Sequence, residues 1–180
     1  LGLAGRARLT HAVSTLARPA EAPLPVDAAG KAQPLPRCTP PRLTRALLMA
    51  GGQGTRLRPL TDRLPKPLLP VGGQPILHRL LEAAAKAQIS ECFISVHYLA
   101  DLVRASIGDG QRFGLQATCL EETTPLGTAG ALGLLPPGQG PLLVMNGDIF
   151  TDVNLAALFA WHQRHGNAVT VATHLYEVPV

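Results

Sequence analysis

Apolar and polar positions change rhythm several times along the chain, and each change predicts an element. Ala46-Leu47-Leu48-Met49-Ala50 is a continuous apolar run ending on Gly51-Gly52, the pattern of a short buried strand. Cys92–Val96, Leu115–Leu120 and Leu142–Asn146 predict three further strands, and Ala168–His174 a fifth. Between them the period lengthens. Ile76, Leu77, Leu80, Leu81 and Ala84 recur at helical spacing behind Pro75, a residue suited to the first turn of a helix. Shorter helices are expected over Leu99–Ile107 and Thr128–Leu135. Asn154 can cap a helix reaching about His165. Strands alternating with helices imply an α/β fold, a Rossmann-like three-layer sandwich whose mostly parallel sheet is covered on both faces.

The N-terminal stretch does not share this rhythm. Residues 1–45 hold seven prolines, and Pro34-Leu35-Pro36 and Pro40-Pro41 block helix and central strand alike. Residues 1–44 are therefore expected to be a Pro/Ala-rich linker or the remnant of an upstream module, with the folded domain over 45–180. A chain of 180 residues suits one domain. It contains no run of about 18 apolar residues, so no membrane span is expected. It begins on Leu1 rather than Met, which suggests a fragment and leaves an upstream targeting segment open.

The net charge of +4 changes meaning once it is divided along the chain. Residues 1–45 hold seven Lys or Arg against two acids, whereas residues 46–180 hold nine against ten. The excess belongs to the N-terminal stretch, and a nucleic-acid partner is not expected. Aromatic residues at 4% argue against base-stacking platforms as well. Cys38, Cys92 and Cys119 form no CxxC pair. A structural zinc or disulfide framework is not expected, and a cytoplasmic setting fits best. Cys92 and Cys119 lie in apolar runs and are read as core residues.

The chemistry concentrates in the loop after the first strand. Gly51-Gly52-Gln53-Gly54 is flanked by Arg56 and Lys66. Glycines at a strand's carboxyl end let the backbone approach phosphate and turn successive N–H groups toward one anion. The loop is not of the GxxxxGKS/T kind, because no Lys-Ser or Lys-Thr follows the glycines. It matches GxGxxG only in part, since Leu57 stands where the last glycine belongs. Pro59, Pro65, Pro67 and Pro70 forbid an ordinary helix directly after it.

The run Gly51-Gly52-x-Gly54-Thr55-Arg56-Leu57-x-Pro59-Leu60-Thr61, followed by Pro65-Lys66-Pro67-Leu68-Leu69-Pro70-Val71, resembles the signature of sugar-1-phosphate nucleotidyltransferases. Three later segments agree in order: Gly108-Asp109-Gly110 with Phe113-Gly114, then Glu122-x-x-Pro125-Leu126-Gly127-Thr128-Ala129-Gly130-Ala131, then Val144-Met145-Asn146-Gly147-Asp148. The resemblance covers about Arg45 to Val180 and is strongest to the mannose-1-phosphate guanylyltransferase-like branch. Some members of that branch carry CBS modules upstream, and Leu24–Lys31 could be the tail of one. The resemblance implies transfer of a nucleotidyl group from an NTP to a sugar 1-phosphate, with release of pyrophosphate. It implies that the Gly51, Gly52, Gly54 and Thr55 amides cradle the NTP phosphates and that Arg56 holds the departing pyrophosphate. Lys66 would contact the α-phosphate and the sugar phosphate, Asp148 would hold Mg²⁺, and Glu122 and Gly127 would lie against the base. It also implies that the family's catalytic domain continues beyond Val180, where a second metal-binding aspartate and most sugar contacts lie.

Elementary chemistry agrees with these roles. The attacking phosphate oxygen is already anionic, so the task is to bring anions together with cations and fixed dipoles. A carboxylate such as Glu122 can accept both N1–H and the 2-amino group of guanine, which favours GTP. Glu121 could exchange roles with it. His97 is read as a satisfied strand-end histidine, Asp109 as a turn former, and His162 and His165 as helix surface. Homo-oligomerisation is left open. Two other readings compete. One is a noncatalytic subunit of the same fold that binds a nucleotide sugar. The other, a dinucleotide-dependent oxidoreductase, needs an acidic residue about 20 positions past the glycines, where Pro67–Gly73 stands instead.

Overall fold

The computed structural model describes residues 42–173. The readings of residues 1–41, including Cys38 and the Leu24–Lys31 phrase, lie outside the described residues. The described residues divide into a compact unit that runs to Ala156 and a second that begins at Ala157.

The first unit is built on a parallel sheet. Strand β1 (Arg45–Met49) leads through the Gly- and Pro-rich loop to a small antiparallel ribbon, β2 (Pro70–Val71) and β3 (Gln74–Pro75). Helix α1 (Ile76–Lys86), strand β4 (Glu91–Val96), helix α2 (Ala100–Ile107) and strand β5 (Gln116–Glu121) follow. A single helical turn α3 (Gly127–Gly130) and strand β6 (Leu142–Asn146) come next, and helix α4 (Leu155–His165), most of which belongs to the second unit, comes last. The sheet order is β5-β4-β1-β6, and every pairing in it is parallel. Leu47 and Leu48 of β1 and Ile94 and Val96 of β4 are fully buried, as central strands covered on both faces require. α1 supplies Leu77, Leu81 and Ala84 to the core, and α2 supplies Val103 and Ile107. Leu47, Phe93 and Ala131 form a separate cluster with Met49, Leu120 and Leu135.

Local chemistry sets the element ends. α1 starts immediately after Pro75. It stops where Gln88 adopts φ 64°, with Ile89 N–H donating to Ala84 O at 3.1 Å and satisfying a terminal carbonyl. α4 begins one residue after Asn154.

Several expectations are corrected. The helix expected over Thr128–Leu135 is the short α3 followed by a 3-10 turn, Ala131–Leu134. Gly130 and Gly133 weaken this segment, and Pro136 ends it. Residues 168–173 form no strand, and Val169 and Val171 are 68% and 70% exposed. β-propensity expresses fit to a paired, half-buried surface, and no pairing partner meets this stretch among the described residues. The β2–β3 ribbon was not expected, although its signal is present. Gly72 and Gly73 have φ 60° and 82°, as a two-residue hairpin turn demands. Cys92 is buried, and desolvation pushes its thiol up to about 12. Cys119 is only half-buried.

Candidate active site

The chain leaves β1 to build one side of the sheet through β4 and β5, then crosses to the other side as β6. The crevice between β1 and β6 is therefore the switch point at which open α/β sheets bind ligands. The ladders run to the last residue of each strand. Ala50 N–H donates to Ser95 O at 2.9 Å, Glu122 N–H to Val96 O at 2.8 Å, and Gly147 N–H to Met49 O at 2.7 Å. Gly51, Glu122 and Gly147-Asp148 thus leave the sheet at one level.

Close backbone approach explains three of the glycines there. A Cβ on Gly147 would stand 2.9 Å from Ala50 Cβ and 3.1 Å from Met49 O. One on Gly51 would stand 2.9 Å from Glu122 Oε1. Gly54 combines φ +63° with Thr61 Cγ2 at 2.9 Å from any added Cβ. Gly52 differs, because nothing lies within 4 Å of where its Cβ would be.

Residues that the sequence reading left without a role hold this loop. Thr61 is 1% exposed, and its hydroxyl donates to Gly54 O at 2.9 Å. The Tyr98 hydroxyl lies 3.2 Å from the carbonyls of both Thr61 and Asp62. Leu99 at φ 50° turns the chain just after Tyr98. Farther along, a 3-10 turn over Lys66–Leu68 is anchored by buried Pro67 and Leu68. It sets Lys66 Nζ 2.6 Å from Asp148 Oδ2. The result is an open pocket of about 150 Å³ lined by Met49, Gly52, Gly54, Lys66, Pro67 and Asp148 among others.

The structure therefore gathers Gly52, Gly54, Lys66 and Asp148, with Gly51 and Glu122 adjacent. Thr55, Arg56 and Gly127 are exposed and are not part of that lining. Arg56 sits in the 3-10 turn Thr55–Leu57 and forms no ion pair among the described residues. Glu122 is buried, at 7% exposure. Its Oε2 accepts from Leu126 N–H at 3.1 Å, so it also closes the turn that leads to Gly127, a positioning task not foreseen from sequence.

A nucleotidyl transferase family profile matches residues 45–179. The chain belongs to the nucleotidyl transferase family. Among its relatives is the mannose-1-phosphate guanylyltransferase catalytic subunit beta of Danio rerio. That protein is 37% identical over 140 residues, which are 75% of this chain and 39% of the relative. A solved structure assigned as a glucose-1-phosphate thymidylyltransferase from Bacillus anthracis, in complex with sucrose, aligns with TM-score 0.60 and 30% identity. The alignment covers 67% of this chain and 50% of that one. HddC from Yersinia pseudotuberculosis in complex with GMP-PN aligns with TM-score 0.56 and 26% identity, over 67% and 54% of the two chains. The chain spans about two fifths of the length of the curated relatives it matches, 38–39% of each.

For a nucleotidyl transferase, the donor set at Asp148 fits a hard divalent cation. No group of three or more His, Cys, Asp or Glu that could hold a metal by itself occurs among the described residues. Mg²⁺ commonly takes one or two carboxylates and completes its shell with water and substrate phosphates. Asp148, lining a pocket beside Gly52 and Gly54, matches that mode. Other histidines have structural partners: His97 Nδ1–H donates to Glu122 O at 2.7 Å, and His165 Nδ1–H to Trp161 O at 2.8 Å. His162 Nδ1 meets Thr170 Oγ1 at 2.9 Å. Asp109 Oδ1 accepts from Gln111 N–H at 3.0 Å, as a turn former does. No helix among the described residues is long and apolar enough to cross a membrane.

Proposed function

We propose that residues 45–180 are the nucleotide-binding part of a sugar-1-phosphate nucleotidyltransferase that uses GTP and Mg²⁺. The observation that carries this reading is the meeting of Gly52, Gly54, Lys66 and Asp148 at the switch point, within one pocket. A phosphate oxygen of the sugar 1-phosphate attacks the α-phosphorus of the NTP. A new P–O bond forms there, the bond from the α-phosphorus to the bridging oxygen breaks, and pyrophosphate leaves with that electron pair. No proton need be removed, so no general base is required.

In this mechanism the amides of Gly52 and Gly54 face the triphosphate, and the open space beside Gly52 admits it. Lys66 neutralises the α-phosphate and the incoming phosphate. Arg56, exposed in its turn, reaches the departing pyrophosphate. A bound Mg²⁺ supplies charge neutralisation at the reacting phosphates, with Asp148 as its protein ligand. Donors placed where charge develops are the main lever in such reactions.

The guanine preference rests on Glu122 and on the names of the relatives. Its carboxylate lies beside Gly51. The bond to Leu126 N–H leaves acceptor capacity on both oxygens. The test is pyrophosphate release by the full chain with Mg²⁺, each NTP and a panel of sugar 1-phosphates. Release that needs both GTP and a sugar 1-phosphate supports the reading. Release with a phosphate-free acceptor, or from GTP alone, refutes it.

A further inference from the structure

The 2.6 Å contact between Lys66 Nζ and Asp148 Oδ2 joins the two groups that the proposed reaction needs apart. Lys66 is the cation meant for phosphate, and Asp148 is the carboxylate meant for the metal. They come from opposite sides of the switch point, one from the loop after β1 and the other from the end of β6. Both line the same pocket, and their side chains are 37% and 29% exposed. That leaves them open to ligands yet screened from bulk water on most of their surface. In this structure each charge is satisfied by the other.

We infer that this ion pair is a latch that couples the loading of metal and of phosphate anion. This inference rests on the functional reading given above. A cation approaching Asp148 meets a carboxylate already neutralised by Lys66, and an anion approaching Lys66 meets an ammonium already held by Asp148. Either ligand alone must open the pair and leave one partially buried charge without its mate. The two together replace both halves of the pair at once. Binding of one therefore raises the affinity for the other, and by linkage the coupling is reciprocal. The latch disfavours metal-free nucleotide and nucleotide-free metal in the same pocket.

The test uses the full chain and two probes in separate arms: Mn²⁺ without nucleotide, and inorganic pyrophosphate in EDTA. Isothermal titration is run on wild type, Lys66→Met, Asp148→Asn and the double variant. Folding of each is checked by its urea midpoint, and Lys66→Gln substitutes if Lys66→Met does not fold. If the binding-competent open state is populated about one-tenth of the time, each single change shifts affinity by roughly tenfold. Lys66→Met tightens Mn²⁺ by that factor. Asp148→Asn tightens pyrophosphate, but only where Lys66 is present, and the gain disappears in the Lys66→Met background. Sulfate added to wild type tightens Mn²⁺, and does not do so in Lys66→Met.

Two results overturn the latch while leaving the site reading intact. One is Mn²⁺ binding unchanged or weakened by Lys66→Met. The other is an equal gain for pyrophosphate from Asp148→Asn with and without Lys66, which is simple removal of a negative charge. Absence of both Mn²⁺ and pyrophosphate binding in every folded form overturns the site reading and the latch together.

Discussion

Replacing Gly147 by alanine tests whether the end of β6 is held where Asp148 needs it. The added Cβ would lie 2.9 Å from Ala50 Cβ and 3.1 Å from Met49 O. Carbon atoms at rest sit about 3.5–4.0 Å apart, so roughly 0.6–1.1 Å of separation has to be found. Neither neighbour is the end of a flexible side chain, so the backbone must move. Overpacking of this kind costs about 1–3 kcal/mol. The Gly147 N–H to Met49 O bond at 2.7 Å spans the same gap, and its loss adds about 0.5–1.5 kcal/mol. Gly147→Ala is therefore expected to destabilise by about 1.5–4.5 kcal/mol, read from urea denaturation. The matched control is Gly52→Ala, whose Cβ meets nothing within 4 Å and whose stability should change by less than about 0.5 kcal/mol. The control should still weaken NTP binding, because its methyl enters the space assigned to phosphate. A stable Gly147→Ala protein would refute the close approach of β1 and β6. Unchanged nucleotide affinity in Gly52→Ala would refute the phosphate placement.

Three other outcomes are expected. Arg56→Ala should lower kcat by about 100-fold or more, as for a lost transition-state donor. Unchanged turnover in a coupled pyrophosphate assay would remove Arg56 from the mechanism. Glu122→Gln should raise KM for GTP more than for UTP, and an equal effect on both would sink the guanine argument. His78 is held below its ordinary value by burial and then by the Arg112 charge, with Arg112 Nη2 3.1 Å from His78 Nε2. As pH falls through about 6.5 the unfolded chain takes up a proton that the folded state resists. The stability present above that pH is then lost progressively until pH passes below the folded value. Urea midpoints at pH 7.5 and 5.5 should differ less for His78→Gln than for wild type, and equal differences would exclude His78 as the cause.

Much of the fold could be read from sequence because its two central strands, β1 and β4, are buried on both faces and appear as nearly unbroken apolar runs. Ala46–Ala50 is the plainest case, and the structure makes it the middle of the sheet, flanked by β4 and β6. α1 was legible for a related reason: Ile76, Leu77, Leu80, Leu81 and Ala84 are all buried. Ala168–His174 misled because a strand needs a partner as well as a composition. In the candidate site, local sequence marked the loop, but proximity in sequence did not give direction. Arg56 is two residues from Gly54 yet stands outside the pocket lining, whereas Lys66, farther along, enters it. The Thr61 and Tyr98 clamp and the Lys66–Asp148 pair join residues far apart in the chain. Only the strand order reveals them.

That strand order also bears on how a multiply charged substrate would be attracted. The described residues 42–173 carry eleven Lys or Arg against nine acids, a small net charge that gives little overall field to draw an anion from a distance. The loop from Gly51 to Lys66 is different, with Arg56, Arg58, Arg63 and Lys66 against Asp62 alone. Arg58 lies 3.4 Å from Asp62, and Lys66 is paired with Asp148 across the switch point. Attraction is thus confined to within about a Debye length of the loop, roughly 8 Å at physiological salt. One of the loop's cations is reserved by a carboxylate that lies outside the loop. A basic loop on an otherwise balanced domain would hold any passing phosphate. Tying Lys66 to Asp148 makes retention depend on what arrives at β6 as well, and so ties anion recognition to the sheet's topology rather than to charge alone.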